Sequence, residues 1–173
     1  IHSRSRCNLY SCFRFLLTFG FVPPFRYLFC AARGNIFTKE KILLSVYAIA
    51  DLHLSHGADK PMDVFGAKWA GHTEKIAENW KKTVSGSDTV VIPGDISWGM
   101  DMDGAVEDLR YIDSLPGRKI ILKGNHDYWW MSMKKLREYK RISGAESIDF
   151  LFNNAYIADN LIVCGTRGWI SES

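Results

Sequence analysis

Three short apolar runs, each followed at once by polar residues, constrain the fold of this chain more than any other feature. The runs cover residues 46–50, Thr89–Ile92 and 119–122. Longer segments with helical periodicity separate them, and Gly or Pro residues mark the breaks between segments. Because strands that alternate with helices form βαβ units, the pattern predicts an α/β fold with a parallel sheet.

The segments between and after the runs predict three helices. The first carries its apolar face on residues 76–84, and Thr73 is its expected N-cap. The second is expected to begin at an Asp103 cap, and the third follows apolar residues from Trp129 to Tyr139. Beyond Gly144, apolar runs at residues 148–152, 155–157 and 161–164 predict a β-meander with tight Asn- and Asp-containing turns.

Each of the three apolar runs ends in side chains that can bind a cation. They are Asp51 and His53 after the first run, Asp95 after the second, and Asn125, His126 and Asp127 after the third. Right-handed crossovers bring the carboxyl ends of parallel strands to one edge of the sheet, where ligands bind. Neighbouring strands lie about 4.8 Å apart, so these side chains can converge on a pair of metal ions.

The chemistry of this donor set indicates the metal. Mixed carboxylate, imidazole and amide donors suit Mn²⁺, Fe or Zn²⁺ better than Cu(I) or Ca²⁺. Gly94 and Gly124 precede the second and third clusters, so the backbone can turn and approach closely there. His126 and Asp127 are expected at a helix N-terminus, a position that favours phosphate. Taken singly, each cluster could be only a turn or a cap.

In this order, the clusters match the D-x-H, G-D and G-N-H-D/E motifs of the calcineurin-like metallophosphoesterases, and residues 46–173 resemble that family. The resemblance implies an αββα sandwich with two divalent ions, of which Asp51 and His53 hold the first. It implies that Asp95 bridges the ions and Asn125 binds the second. His126 would stabilise or protonate the leaving oxygen, oriented by Asp127.

The reaction implied by the resemblance is hydrolysis of a phosphoester substrate by a hydroxide that bridges the two ions, without a covalent intermediate. The family motifs also include later histidines, in a G-H pair and a G-H-x-H segment. This sequence contains no histidine after His126. We therefore expect residues 46–173 to be a fragment of the domain, incomplete at its C-terminus, with weak metal binding and little or no turnover.

Residues 1–45 differ from the rest in charge and pattern, with seven Lys or Arg against one acidic residue. One interpretation is a secretory signal, and another is a non-native leader upstream of a start at Leu44. Either way, we expect a leader outside the domain. An alternative function follows from it: a non-catalytic protein that binds nucleic acid or a membrane surface through this basic aromatic segment.

The remaining residues exclude several classes of protein. Residues 46–173 carry fifteen bases and eighteen acids, so no stable nucleic-acid partner is expected for them. The four cysteines form no metal or disulfide pattern, and no apolar stretch is long enough to span a membrane. The cytoplasm is the default location. The choice among monoester, diester, nucleotide and lipid substrates stays open, as do metal identity and oligomeric state.

Five further residues could border the predicted site. His56 could touch substrate or be a solvated loop residue, and His72 is expected beside a helix cap. Trp98 or Trp129 could wall the pocket or stack on a nucleobase, with core packing as the alternative. Arg167 could bind phosphate or form a surface ion pair.

Overall fold

The computed structural model describes residues 14–15, 30–33 and 45–166 of the chain. Arg167 and most of the predicted leader, including Leu44, lie outside the described residues. The α-helices are α1 (His72–Thr83), α2 (Met102–Ser114) and α3 (Met133–Ser143), and short 3-10 helices cover Met62–Phe65 and Ala67–Trp69. The strands are β1 (Arg14–Phe15), β2 (Cys30–Arg33), β3 (Val46–Ala48), β4 (Thr89–Ile92), β5 (Arg118–Ile121), β6 (Ile148–Phe150), β7 (Asn154–Ala158) and β8 (Leu161–Gly165).

The strands form two sheets. The larger sheet is parallel throughout, with strand order β1-β3-β4-β5-β6. The smaller sheet is antiparallel, with order β2-β8-β7. The predicted α/β class and parallel sheet are confirmed, and this architecture is consistent with a calcineurin-like fold.

Buried side chains lie on both faces of the parallel sheet. Val90 and Ile92 of β4 pack with α-helical residues such as Leu109 in one core. Val91 points to the opposite face, where it packs with Val163 of the antiparallel sheet in a second core. Because β4 is covered on both faces, its sequence is an uninterrupted apolar run rather than an alternating one. The layers are therefore helices, parallel sheet and antiparallel sheet.

The predicted β-meander is wrong in one strand. β6 pairs in parallel with β5, with Ile148 opposite Lys119, and so belongs to the larger sheet. β7 and β8 do form the predicted antiparallel hairpin. In sequence, β6 is a short apolar segment like β7 and β8, which follow it. The helix α3, however, lies between β5 and β6 and forms a crossover connection. This crossover selects parallel pairing.

The helix starts also differ from expectation. Asp101, not Asp103, caps α2, and its carboxylate accepts a hydrogen bond of 2.9 Å from the backbone N–H of Gly104. Gly71 precedes α1 in a left-handed conformation, so Thr73 lies inside the helix and is not its cap. Among the described residues, no helix is long and apolar enough to cross a membrane.

His126 and Asp127 do not lie at a helix N-terminus, because α3 begins only at Met133. Between them and the helix, the chain makes tight turns, in which Tyr128 N–H donates to the His126 carbonyl and Trp130 N–H donates to the Asp127 carbonyl. The expected contribution of a helix dipole to phosphate binding at these two residues is therefore wrong.

Candidate metal centre

The loops after β3 and β4 run side by side at the carboxyl edge of the parallel sheet. The backbone N–H of Asp51 donates to the Gly94 carbonyl at 3.2 Å, and that of His53 donates to the Asp95 carbonyl at 3.0 Å. Leu54 continues this pairing with Ser97. The hydrogen bonding of the sheet thus extends past the strands and aligns the first two polar clusters.

Three of the predicted metal ligands converge at this edge. One oxygen each of Asp51 and Asp95 and one ring nitrogen of His53 lie within 4.8 Å of one another. Asp95 is buried, the His53 side chain is 12% exposed and the Asp51 side chain is 46% exposed. The Nδ1 atom of His53 is buried without a hydrogen-bond partner. This half-enclosed set of carboxylate and imidazole donors fits a divalent cation.

The backbone of all three residues is in the left-handed region, with φ angles of 57° at Asp51, 46° at His53 and 52° at Asp95. A non-glycine residue costs about 1 kcal/mol or more in this conformation. Strained backbone of this kind is concentrated at functional sites. The backbone conformation that brings these three side chains together therefore lowers the stability of the fold.

Two glycines bring the loops after β4 and β5 into direct contact. A Cβ atom on Gly94 would lie 2.4 Å from the backbone nitrogen of Gly124. A Cβ on Gly124 would lie 2.1 Å from the Oδ1 atom of Asp95. Both distances are far below van der Waals contact, so any larger residue at either position must separate the loops. At these two glycines, the loop after β4 therefore lies directly against the loop after β5.

Asp127 is fully buried and holds these two loops together. Its carboxylate accepts hydrogen bonds from the backbone N–H groups of Asp95 at 2.8 Å, Ile96 at 2.9 Å and Gly124 at 2.7 Å. It also accepts one from the Trp129 indole at 2.9 Å. Burial raises the pKa of Asp127, and the charge of Asp95 adds to this shift, whereas the hydrogen bonds from Gly124, Ile96 and Trp129 oppose it. Among the described contacts, none joins this carboxylate to the His126 imidazole, so its observed partners fix the loop backbone.

Asp108, another buried carboxylate, was not anticipated from the sequence. It lies on α2 and accepts hydrogen bonds from the His56 backbone N–H at 2.8 Å, from the His56 ring Nδ1 at 2.7 Å, and from the Ser97 hydroxyl. It therefore connects the loop after β3 to the loop after β4. Its position between Ala105 and Leu109 on the buried face of α2 is the sequence signal that could have revealed it.

His126 and Trp98 complete the described surroundings of the three ligands. The backbone N–H of His126 donates to the Oδ1 atom of Asp95 at 2.9 Å. The centre of the His126 ring lies 5.8 Å from the centre of the His53 ring. The Trp98 indole stacks on His53 at 4.6 Å and lies 5.1 Å from His126, so Trp98 forms a wall of the site. Trp129 is in the core. Asn125 is partly exposed on the loop directly before His126.

The electrostatics of the cluster favour a bound cation. Burial, together with the charge of Asp95, raises the pKa of Asp51 to about 6. Burial lowers the pKa of His53 to about 4, so its ring is neutral near pH 7 and can act as a ligand. The charges of His126 and His72, the first residue of α1, also lower the pKa of His53. A divalent cation between Asp51 and Asp95 would relieve their mutual repulsion.

Comparisons with known proteins agree with this geometry. The family model described as calcineurin-like phosphoesterase matches residues 44–171. The Gene 66 protein of Mycobacterium phage L5 is 36% identical over 78 residues, covering 45% of this chain and 37% of the phage protein. The Gene 66 protein of Mycobacterium phage D29 is 38% identical over 85 residues, covering 48% and 40%. The chain thus spans about two fifths of the length of these curated relatives.

One solved structure is also similar, the protein of unknown function AQ665 from Aquifex aeolicus. It has 25% sequence identity and a TM-score of 0.42, over 66% of this chain and 55% of that one. The family match, by contrast, covers most of the chain and includes all three strand-end clusters. The clusters follow one another in the order of the family motifs, and their residues converge at one edge of the sheet. The chain belongs to the calcineurin-like phosphoesterase family.

Proposed function

We propose that this protein hydrolyses phosphoester bonds with the help of two divalent metal ions bound at the carboxyl edge of its parallel sheet. The observation that carries the proposal is the convergence of Asp51, His53 and Asp95 within 4.8 Å, in a chain of the calcineurin-like phosphoesterase family. Mn²⁺, Fe and Zn²⁺ are the cations that these donors suit best.

The predicted ligand set assigns each ion its residues. Asp51 and His53 would hold the first ion, Asp95 would bridge the two, and Asn125 would supply an amide oxygen to the second. When bound, the ions would neutralise the phosphoryl oxygens and make water a stronger acid. The neutral state of the His53 ring and the low exposure of His53 and Asp95 beside the more exposed Asp51 support these assignments.

The chain's own residues would position the leaving group. His126 is fixed relative to the bridging carboxylate, because its backbone N–H donates to Asp95. Its imidazole borders both His53 and Trp98, and from there it would donate a hydrogen bond or a proton to the leaving oxygen. Asp127 would contribute indirectly, since its hydrogen bonds hold the two loops that carry Asp95 and His126.

The test is to measure Mn²⁺ binding by calorimetry and hydrolysis of 4-nitrophenyl phosphate and bis(4-nitrophenyl) phosphate in the wild-type chain, Asp95→Asn and Asp59→Asn. Asp59 is an exposed loop residue and serves as the matched control. We expect Asp95→Asn to lose metal binding and hydrolysis, and Asp59→Asn to retain both. Hydrolysis that persists in chelator, or equal Mn²⁺ affinity in the two variants, would contradict the proposal.

A further inference from the structure

The ammonium group of Lys60 lies at the rim of the metal centre. Its Nζ atom is 3.4 Å from the centre of the Trp98 ring, and that ring is 4.6 Å from the His53 ring. The ammonium group is therefore within about 8 Å of the His53 ring centre, the sum of these two distances. At that range a charge at the rim interacts with an anion bound between the ligands.

The surrounding loop holds Lys60 in this place. The Trp98 indole donates a hydrogen bond to the sulfur of the buried Met62 at 3.3 Å, which fixes the ring that the ammonium group covers. The Lys60 backbone N–H donates to the Ala58 carbonyl at 2.9 Å. A cation over an indole face is stabilised without a carboxylate partner.

No carboxylate among residues 45–166 lies within ion-pair distance of Lys60. Within residues 45–166, ion pairs to carboxylates involve Lys82, Arg110, Arg118 and Lys140 among the lysines and arginines, and Lys60 is in none of them. Burial is the main cause of the lowered pKa of His53, and the positive charge of Lys60 adds to it. This effect of Lys60 on His53 is consistent with the contact that each of them makes with the Trp98 ring.

We propose that the positive charge of Lys60 attracts the phosphoryl group of the substrate and makes the site prefer phosphomonoesters to phosphodiesters. A phosphomonoester carries about −1.5 to −2 charge at neutral pH. A diester carries only one negative charge, so it gains less from an additional cation. This inference rests on the proposed function, because it names the substrate class of the same site.

The experiment compares four forms of the full chain in excess Mn²⁺: wild type, Lys60→Met, Lys60→Arg and Lys68→Met. Methionine retains an aliphatic chain over the indole but removes the charge, whereas arginine retains the charge. Lys68 is the matched control, an exposed lysine of the same connection between β3 and α1, whose Nζ lies 5.8 Å from the centre of the Trp69 ring. Affinity for inorganic phosphate is measured by calorimetry, and kcat and KM are measured for the two nitrophenyl esters.

We expect Lys60→Met to bind inorganic phosphate about tenfold more weakly. Its KM for the monoester should rise by a similar factor, with smaller changes in kcat and in the diester KM. Lys60→Arg should restore most of the phosphate affinity, and Lys68→Met should resemble wild type. These results together would support the inference.

Phosphate affinity in Lys60→Met within twofold of wild type would overturn the inference, as would an equal loss in Lys68→Met. No detectable phosphate binding by the wild-type chain in Mn²⁺ would overturn it too. Equal effects on monoester and diester would refute the stated substrate preference. Failure of the proposed function is a separate result, because it would appear as metal-independent hydrolysis of both esters by the wild-type chain.

Discussion

Replacing Gly124 with alanine tests whether the close contact of the two loops shapes the metal centre. The new Cβ atom would lie 2.1 Å from Oδ1 of Asp95 and 2.3 Å from its backbone nitrogen. Nonbonded contacts to carbon normally begin near 3.5 Å, so the new Cβ atom and Oδ1 of Asp95 must move apart by about 1.4 Å. The atom that meets the new methyl group is the same carboxylate oxygen that accepts the His126 N–H.

The expected cost follows from the contacts that this movement disturbs. Overpacking in a close-packed interior costs about 1–3 kcal/mol. The shift also stretches the hydrogen bonds from Gly124 and Asp95 to the buried Asp127 carboxylate, each of which is charge-assisted. We expect the free energy of unfolding to fall by about 3 kcal/mol and Mn²⁺ affinity to fall by at least tenfold, since displaced supports alone can have that effect.

The assay is urea denaturation together with Mn²⁺ calorimetry, and Gly86→Ala is the control. A Cβ atom at Gly86 has no neighbouring atom within 4 Å, so that substitution introduces no clash. We expect Gly86→Ala to match wild type in metal affinity and to change stability by less than about 1 kcal/mol. If Gly124→Ala behaves like Gly86→Ala in both measurements, the reasoning about loop contact is wrong.

Two further predictions concern other buried or paired carboxylates. Asp108→Ala leaves the His56 and Ser97 donors without their acceptor, so we expect a stability loss of about 3 kcal/mol by urea denaturation, against little change in the exposed α2 variant Asp103→Ala. Equal midpoints for the two variants would refute this. Burial opposes the shift, but hydrogen bonds from Lys140 and Arg118 lower the pKa of Asp149 below its usual value. Its stabilising contribution is therefore present above an unfolded pKa of about 3.9 and is lost as the pH falls below it. The difference in unfolding free energy between wild type and Asp149→Asn should shrink between about pH 6 and about pH 3, and a constant difference would contradict the assignment.

The strands that the sequence predicts best are those buried on both faces. β4 has the predicted bounds, Thr89–Ile92, because all four of its residues are buried and three of them are aliphatic. β3 ends two residues earlier than expected, since residues 49 and 50 already lead into the left-handed turn at Asp51. An apolar run in the sequence thus predicts the bounds of a strand well where every residue of that strand is buried.

The features that the sequence could not predict depend on distant partners. The pairing of β6 with β5 depends on the crossover through α3, and the role of Asp108 depends on loops 52 and 11 residues away in sequence. The three residues of the candidate metal cluster were identifiable because their types and order indicate metal-binding chemistry. Their left-handed backbone was not, since nothing in the local pattern indicates positive φ angles at Asp51 and His53.

The buried carboxylates of Asp108 and Asp127 connect the three loops at the carboxyl edge of the parallel sheet. Asp108 joins the first loop to the second, and Asp127 joins the second to the third, through hydrogen bonds within the chain. The conformational entropy lost when these bonds form is therefore part of the free energy of folding. We expect removal of either carboxylate to loosen the loops, so that part of this entropic cost would instead lower the affinity for a cation.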